Sequence, residues 1–72
     1  MHVIVEVYGG IVEGVTMIAD MNEAVEFADN QAEAANANFE KDDIRVFAFD
    51  EGGGNEGVEC YDALSPEPKK QE

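Results

Sequence analysis

Two adjacent glycines, Gly9 and Gly10, stand between two runs rich in β-branched and aromatic residues, VIVEVY before and IVEGVTMI after. A two-residue hairpin loop needs positive φ, which glycine adopts without steric cost, so this dipeptide in this setting specifies an antiparallel hairpin. With the loop there, Tyr8 pairs with Ile11, Val7 with Val12, Glu6 with Glu13, Val5 with Gly14, Ile4 with Val15 and Val3 with Thr16. Side chains alternate along a strand. One face of the hairpin therefore receives Val3, Val5, Val7, Val12 and Ile18, and the other Ile4, Tyr8, Ile11, Val15 and Met17, with Glu6 across from Glu13. Both faces are mostly apolar. Gly14 inside the second run marks a bulge or a close backbone approach, and a bulge would exchange the faces of residues 15–18.

Downstream of the hairpin, Asp20-Met21-Asn22-Glu23 reads as a capping box, so a helix begins at Met21. Met21, Ala24, Val25, Ala28, Ala32, Ala35 and Phe39 recur at steps that share one stripe, with Phe27 on its shoulder. A stripe built mainly of alanine lets the helix lie close to a sheet. Asn36, Asn38 and the Lys41-Asp42-Asp43 turn mark its exit. Residues 44–50, IRVFAFD, form a strand apolar on both faces and central in the sheet. Residues 51–57, EGGGNEG, form a loop, and residues 58–63 a short returning strand at the edge. Residues 65–72 hold two prolines and no apolar side chain, which reads as a disordered tail behind a single domain of residues 1–64.

The order is ββαββ. A right-handed crossover sets the third strand parallel to the second, so beside the first strand it runs antiparallel. The expected fold is a small two-layer α+β domain with a mainly antiparallel sheet in the order 2-1-3-4 and one helix across one face. A chain of 72 residues has little core to spare. One helix covers one side of the sheet, which leaves an apolar face for a second copy or another partner.

Seventeen acids against four bases give a net charge of -13, while 44% of the residues are apolar, so the chain folds against its own repulsion. Such a surface is repelled by phosphate backbones and anionic lipid, which argues against direct nucleic-acid or membrane binding. One cysteine, no apolar run of spanning length and no basic leader point to the cytoplasm.

The residues offer little chemistry. His2 and Cys60 are the sole soft-ligand pair, too few for a zinc site, and Cys60 reads as a buried structural cysteine on the edge strand. Loop 50–56 sets oxygen ligands around glycines, but its spacing departs from that of a calcium loop. It remains a minor cation-binding alternative. Glu6 and Glu13 are the most defined carboxylate pair, and facing like charges are expected to splay into solvent. No catalytic residue, cofactor site or metal site is assigned, and the chain is read as a non-enzyme.

Charge pattern is more telling. Asn22, Glu26, Asp29, Glu33, Asn36 and Glu40 fall at alternating steps of three and four on the outer face of the expected helix, joined by Asp42 and Asp43. Each step rises about 5 Å along the axis, comparable to phosphate spacing along a nucleic acid, which rises about 3.4 Å per nucleotide. Ordinary surfaces mix both signs. The candidate contact residues are therefore Glu26, Asp29, Glu33, Glu40, Asp42 and Asp43.

The hairpin text Val5-x-Val7-x-Gly9-Gly10-Ile11-Val12-x-x-Val15 resembles the opening of short uncharacterised open reading frames of phages and plasmids, over about 15 of 72 residues, and implies no activity. By charge pattern alone the chain resembles acidic DNA-mimic inhibitors of restriction and CRISPR machinery. That resemblance implies an inhibitor or adaptor whose carboxylates occupy the nucleic-acid groove of a basic protein. The rival expectation is a small, dimeric structural domain of a halophile, acidic for solubility.

Overall fold

The structure is a computed structural model that describes residues 1–49 and 57–64. The expected cation loop, 50–56, and the expected tail, 65–72, lie outside the described residues. Strands β1 (His2–Tyr8), β2 (Ile11–Ile18), β3 (Asp42–Phe49) and β4 (Gly57–Asp62) form one antiparallel sheet in the order β2-β1-β3-β4, with helix α1 (Met21–Ala34) between β2 and β3 in the chain. This is the expected ββαββ α+β architecture. The third strand starts two residues earlier than its sequence pattern, at Asp42, and the fourth spans residues 57–62.

Gly9 and Gly10 take φ of 61° and 85°, positive at both central positions as a type I′ turn requires. Register then departs from simple pairing. Tyr8 faces Ile11 and Val7 faces Val12, but Glu6 faces Gly14, Val5 faces Val15 and Val3 faces Met17. Glu13 is the extra residue of a β-bulge. The bulge moves Val15 and Met17 onto the face of Val3, Val5 and Val7, and Ile18 onto the face of Ile4. Glu6 consequently does not oppose Glu13. It points under the helix and is 6% exposed, while Glu13 stays at the surface. A second shift between Val46 and Phe47 leaves Cys60 as the extra residue of β4.

The helix begins as its capping box implies, with the Asp20 side chain accepting from the Glu23 amide at 3.0 Å. Its end is earlier than the apolar spacing suggests. Asn36 sits at φ 52°, its amide donates to Glu33 O at 3.1 Å and the Ala37 amide to Ala32 O at 3.0 Å, the paired bonds of a Schellman motif. Ala35 is therefore the C-cap, and Phe39 lies beyond the helix at 53% exposure instead of packing on the sheet.

Ala24 and Ala28 press the helix onto Ile4, Ile44 and Val46, and all five are fully buried. Small side chains on the helix and branched ones on the sheet give a close two-layer contact. Phe27, Ile18, Ala32, Tyr61 and Leu64 pack around this centre. Two polar ties position the helix along its length: the Tyr61 hydroxyl donates to Asp29 Oδ1 at 2.7 Å, and Gln31 Nε2 donates to Glu6 Oε1 at 3.1 Å.

Candidate functional site

The outer helix surface keeps only part of the acidic row expected from spacing. Glu26 and Glu33 are exposed on α1 and Asp29 is half-buried, turned toward Tyr61. Asn36 and Glu40 are not on the helix, because the Schellman turn ends it. Glu40 is exposed in the following loop, where its amide donates to Asn38 Oδ1 at 2.8 Å.

Asp42 and Asp43 part company at the start of β3, since neighbouring residues of a strand point to opposite faces. Asp42 is 5% exposed and clamps two loops: Oδ1 accepts from the Gly9 amide and Oδ2 from the Asn38 amide, both at 2.9 Å. The Asn38 bond, aided by the Gly9 bond and by Lys41, holds this carboxyl below its ordinary range against the opposing effect of burial. Asp43 lies across the sheet from the helix, 3.2 Å from Arg45 Nη2. The six candidate residues thus divide into a helix group, a loop clamp and a residue on the far face.

Between the hairpin end, the last helical turn and the 35–41 loop lies a groove of about 700 Å³, and its polar lining includes Glu6, Tyr8, Glu13, Gln31, Lys41 and Asp42. Glu6 forms its floor. Oε1 accepts from both Tyr8 Oη, at 2.7 Å, and Gln31 Nε2, while Oε2 lies where a side chain on residue 14 would start. A Cβ on Gly14 would stand 3.0 Å from that oxygen, so the glycine makes room for the carboxylate. Burial and then the Glu6 bond and charge, with Asp42 and Glu13 adding to them, push the Tyr8 phenol up to about 12. The last helical turn carries no basic residue to offset its negative dipole end. Alternation along β1 puts Glu6 on the face of Ile4 and Tyr8 that the helix covers, but sequence spacing did not reveal this groove, because its far wall is made by the Schellman turn and the 35–41 loop that follows it.

Arg45 organises the opposite face of the sheet. Asp43, Glu59 and Asp62 surround it at 3.2, 3.3 and 3.7 Å. Burial works against the guanidinium charge, but Asp43 first, then Glu59 and Asp62, more than offset it and raise its pKa. Lys41 and Arg45 are the sole lysine and arginine among the described residues. The three contacts with Asp43, Glu59 and Asp62 are ion pairs, all made by Arg45.

The Cys60–His2 pairing is not assembled. His2 Nδ1 lies 3.0 Å from Ala19 O, and Cys60 Sγ lies 3.5 Å from Val46 O and 3.7 Å from Met21 Sδ. Cys60 is exposed on the edge strand instead of buried, although the partial burial of its thiol pushes its pKa up. Among the described residues no cluster of three histidine, cysteine or carboxylate groups is placed to hold a metal ion, and no helix is long and apolar enough to cross a membrane. Comparison with family models, curated proteins and solved structures gave no match.

Proposed function

We propose that this protein is a non-enzymatic inhibitor or adaptor that binds a basic nucleic-acid-binding protein through carboxylates of its helix layer, in the manner of a DNA mimic. One observation carries the reading. Arg45 is committed to three carboxylates on the far face of the sheet, so Glu23, Glu26 and Glu33 on the exposed side of α1 meet no arginine among the described residues. Lys41, the one lysine among the described residues, lines the groove and makes none of the ion pairs given above. A surface of this kind is complementary to lysine and arginine side chains from outside.

Glu26, Asp29 and Glu33 project along about 10 Å of helix, with Glu23 one turn ahead of Glu26. The groove adjoins the last helical turn, and Glu6, Glu13 and the uncompensated dipole end make it the natural seat for a single cationic side chain of the partner. Contact residues of the helix layer are Glu26, Glu33 and Glu40, with Asp29 contributing from its place beside Tyr61.

Affinity capture from host-cell lysate, followed by competition with duplex oligonucleotide, tests the reading. The double change Glu26→Lys and Glu33→Lys leaves Asp29 and its tie to Tyr61 intact. Reversal at two exposed acids should weaken capture of a basic nucleic-acid-binding protein by about tenfold or more, with an unchanged circular dichroism spectrum. Duplex oligonucleotide should release the captured protein. Capture that persists in the double variant, or that duplex does not compete, would sink the proposal.

A further inference from the structure

We propose that the open face of the sheet is closed by a second copy of this chain, packed face to face over β1 and β2. Paired residues share a face, and three rows cross this one: Met17–Val3–Phe47–Glu59, Val15–Val5–Arg45–Asp62 and Val12–Val7–Asp43. The β1 and β2 columns are wholly apolar. Val12, Val15 and Met17 are 60%, 62% and 64% exposed, beside the half-buried Val3, Val5 and Val7. Every ionic group in the three rows belongs to the Arg45 cluster on β3 and β4.

The distribution of charge selects the occupant. A cationic partner gains nothing from six apolar side chains and is drawn to the helix side, where the carboxylates are. A second copy of a chain carrying -13 can approach without carboxylates meeting only through a field that has none, and this one supplies it. A two-fold axis lying in the interface, parallel to the strands and between β1 and β2, sets β2 of each copy over β1 of the other. The Val12, Val15 and Met17 column then meets the Val3, Val5 and Val7 column, and the two Arg45 clusters fall on opposite flanks. An apolar centre with an ionic rim results.

Repulsion between the copies stays modest in this arrangement. Each molecule is 17 Å thick and bears its helix on the outer side. With the sheets about 10 Å apart, the helices lie roughly 30 Å from each other, well beyond a Debye length of about 8 Å at physiological salt. Size sets the strength. The broad face measures 35 by 31 Å, and half of it in each copy gives roughly 1,000 Å² in total, the lower bound for a specific interface. A reversible dimer is therefore expected, formed at micromolar or higher concentration.

Sedimentation velocity on the full chain, from low micromolar to sub-millimolar in about half-molar sodium chloride, where exposed charges are screened, decides it. The expected result is a concentration-dependent monomer–dimer equilibrium. Val15→Glu should weaken the dimer by about tenfold or more by burying unpaired like charges, and Val15→Thr with Met17→Thr, which keeps strand propensity, should weaken it in the same direction. Ile11→Glu, equally exposed but outside the rows, should leave it unchanged. Glu26→Lys with Glu33→Lys should also dimerise normally, so failure of the basic-partner reading and failure of this inference are separate results. A monomer at every concentration overturns the proposal, as does a dimer that survives both Val15 variants.

Discussion

Single residues do much of the positioning in this small domain, and the bulge residue Glu13 shows how. An extra residue there, and not at a glycine, re-aims the β2 side chains beyond it and sets Gly14 opposite Glu6, whose carboxylate lies under the helix. The glycine signalled an irregularity, yet nothing in the sequence says which residue becomes supernumerary, since a bulged position demands no particular side chain. For that reason the room that Gly14 leaves for the Glu6 carboxylate was not legible, whereas the turn at Gly9 and Gly10, with its strict need for positive φ, was. The Glu6–Tyr8–Gln31 network makes stability depend on alkaline pH. Tyr8 titrates near 12 in the folded chain against an ordinary 10.0, so the unfolded chain loses this proton first. The sign follows: the contribution is complete below about pH 10 and is lost as pH rises toward about 12. Tyr8→Phe deletes the hydroxyl bond to Glu6 and should cost about 1 kcal/mol at neutral pH. Urea denaturation at neutral pH and above pH 11 checks this: the gap between wild type and variant should close at the alkaline end, and a gap independent of pH would show that burial and the Glu6 contact do not hold the Tyr8 proton in the folded chain.

At the scale of elements, strand order, helix start and the sheet's central strand were readable, because each rests on a local pattern with a strict physical period or a cap. The helix end was not. Ala32 and Ala35 continue the helical spacing toward Phe39, and the stop is an asparagine, a weaker signal than glycine for the left-handed conformation that ends a helix. Once Asn36 takes φ 52°, the amides of Asn36 and Ala37 close onto Glu33 and Ala32, and the chain is sent back toward the hairpin. Asp42 catches it there through the Asn38 and Gly9 amides. The expected acidic row loses Asn36 and Glu40 for the same reason. Asn36→Gly should leave thermal stability unchanged or slightly raised, since glycine adopts this conformation freely. Asn36→Val should cost about 1–2 kcal/mol, the penalty for a branched residue in the left-handed region. Equal melting temperatures for the two variants would mean that the Schellman turn does not set the helix end.

For the whole molecule, charge opposes what packing achieves. Five fully buried side chains form the centre of a domain bearing -13, so the favourable terms are few and the repulsion is spread over the entire surface. At about 0.01 M salt the Debye length is about 30 Å, as long as the broad dimensions of 35 and 31 Å, and nearly every carboxylate acts on every other. At about half-molar salt it falls to a few ångströms, shorter than one helical turn, and only adjacent groups still interact. Arg45 and its three partners lose attraction over the same range, but they are one cluster against a repulsive majority, and exposed pairs are weak to begin with. The melting temperature should therefore rise between these two salt concentrations. Association through the open face would raise it too, but that part grows with protein concentration, whereas screening within one molecule does not. Scans at two protein concentrations separate them: a rise present equally in both is intramolecular repulsion relieved. The size of the effect also separates an acidic surface kept for binding from one kept for brine. A folded transition already present at low salt, rising as salt is added, fits a carboxylate layer held for a basic partner, and a chain that folds only near molar salt fits the halophile's domain. A melting temperature that is flat or falls across the range would remove repulsion as a significant force in this fold.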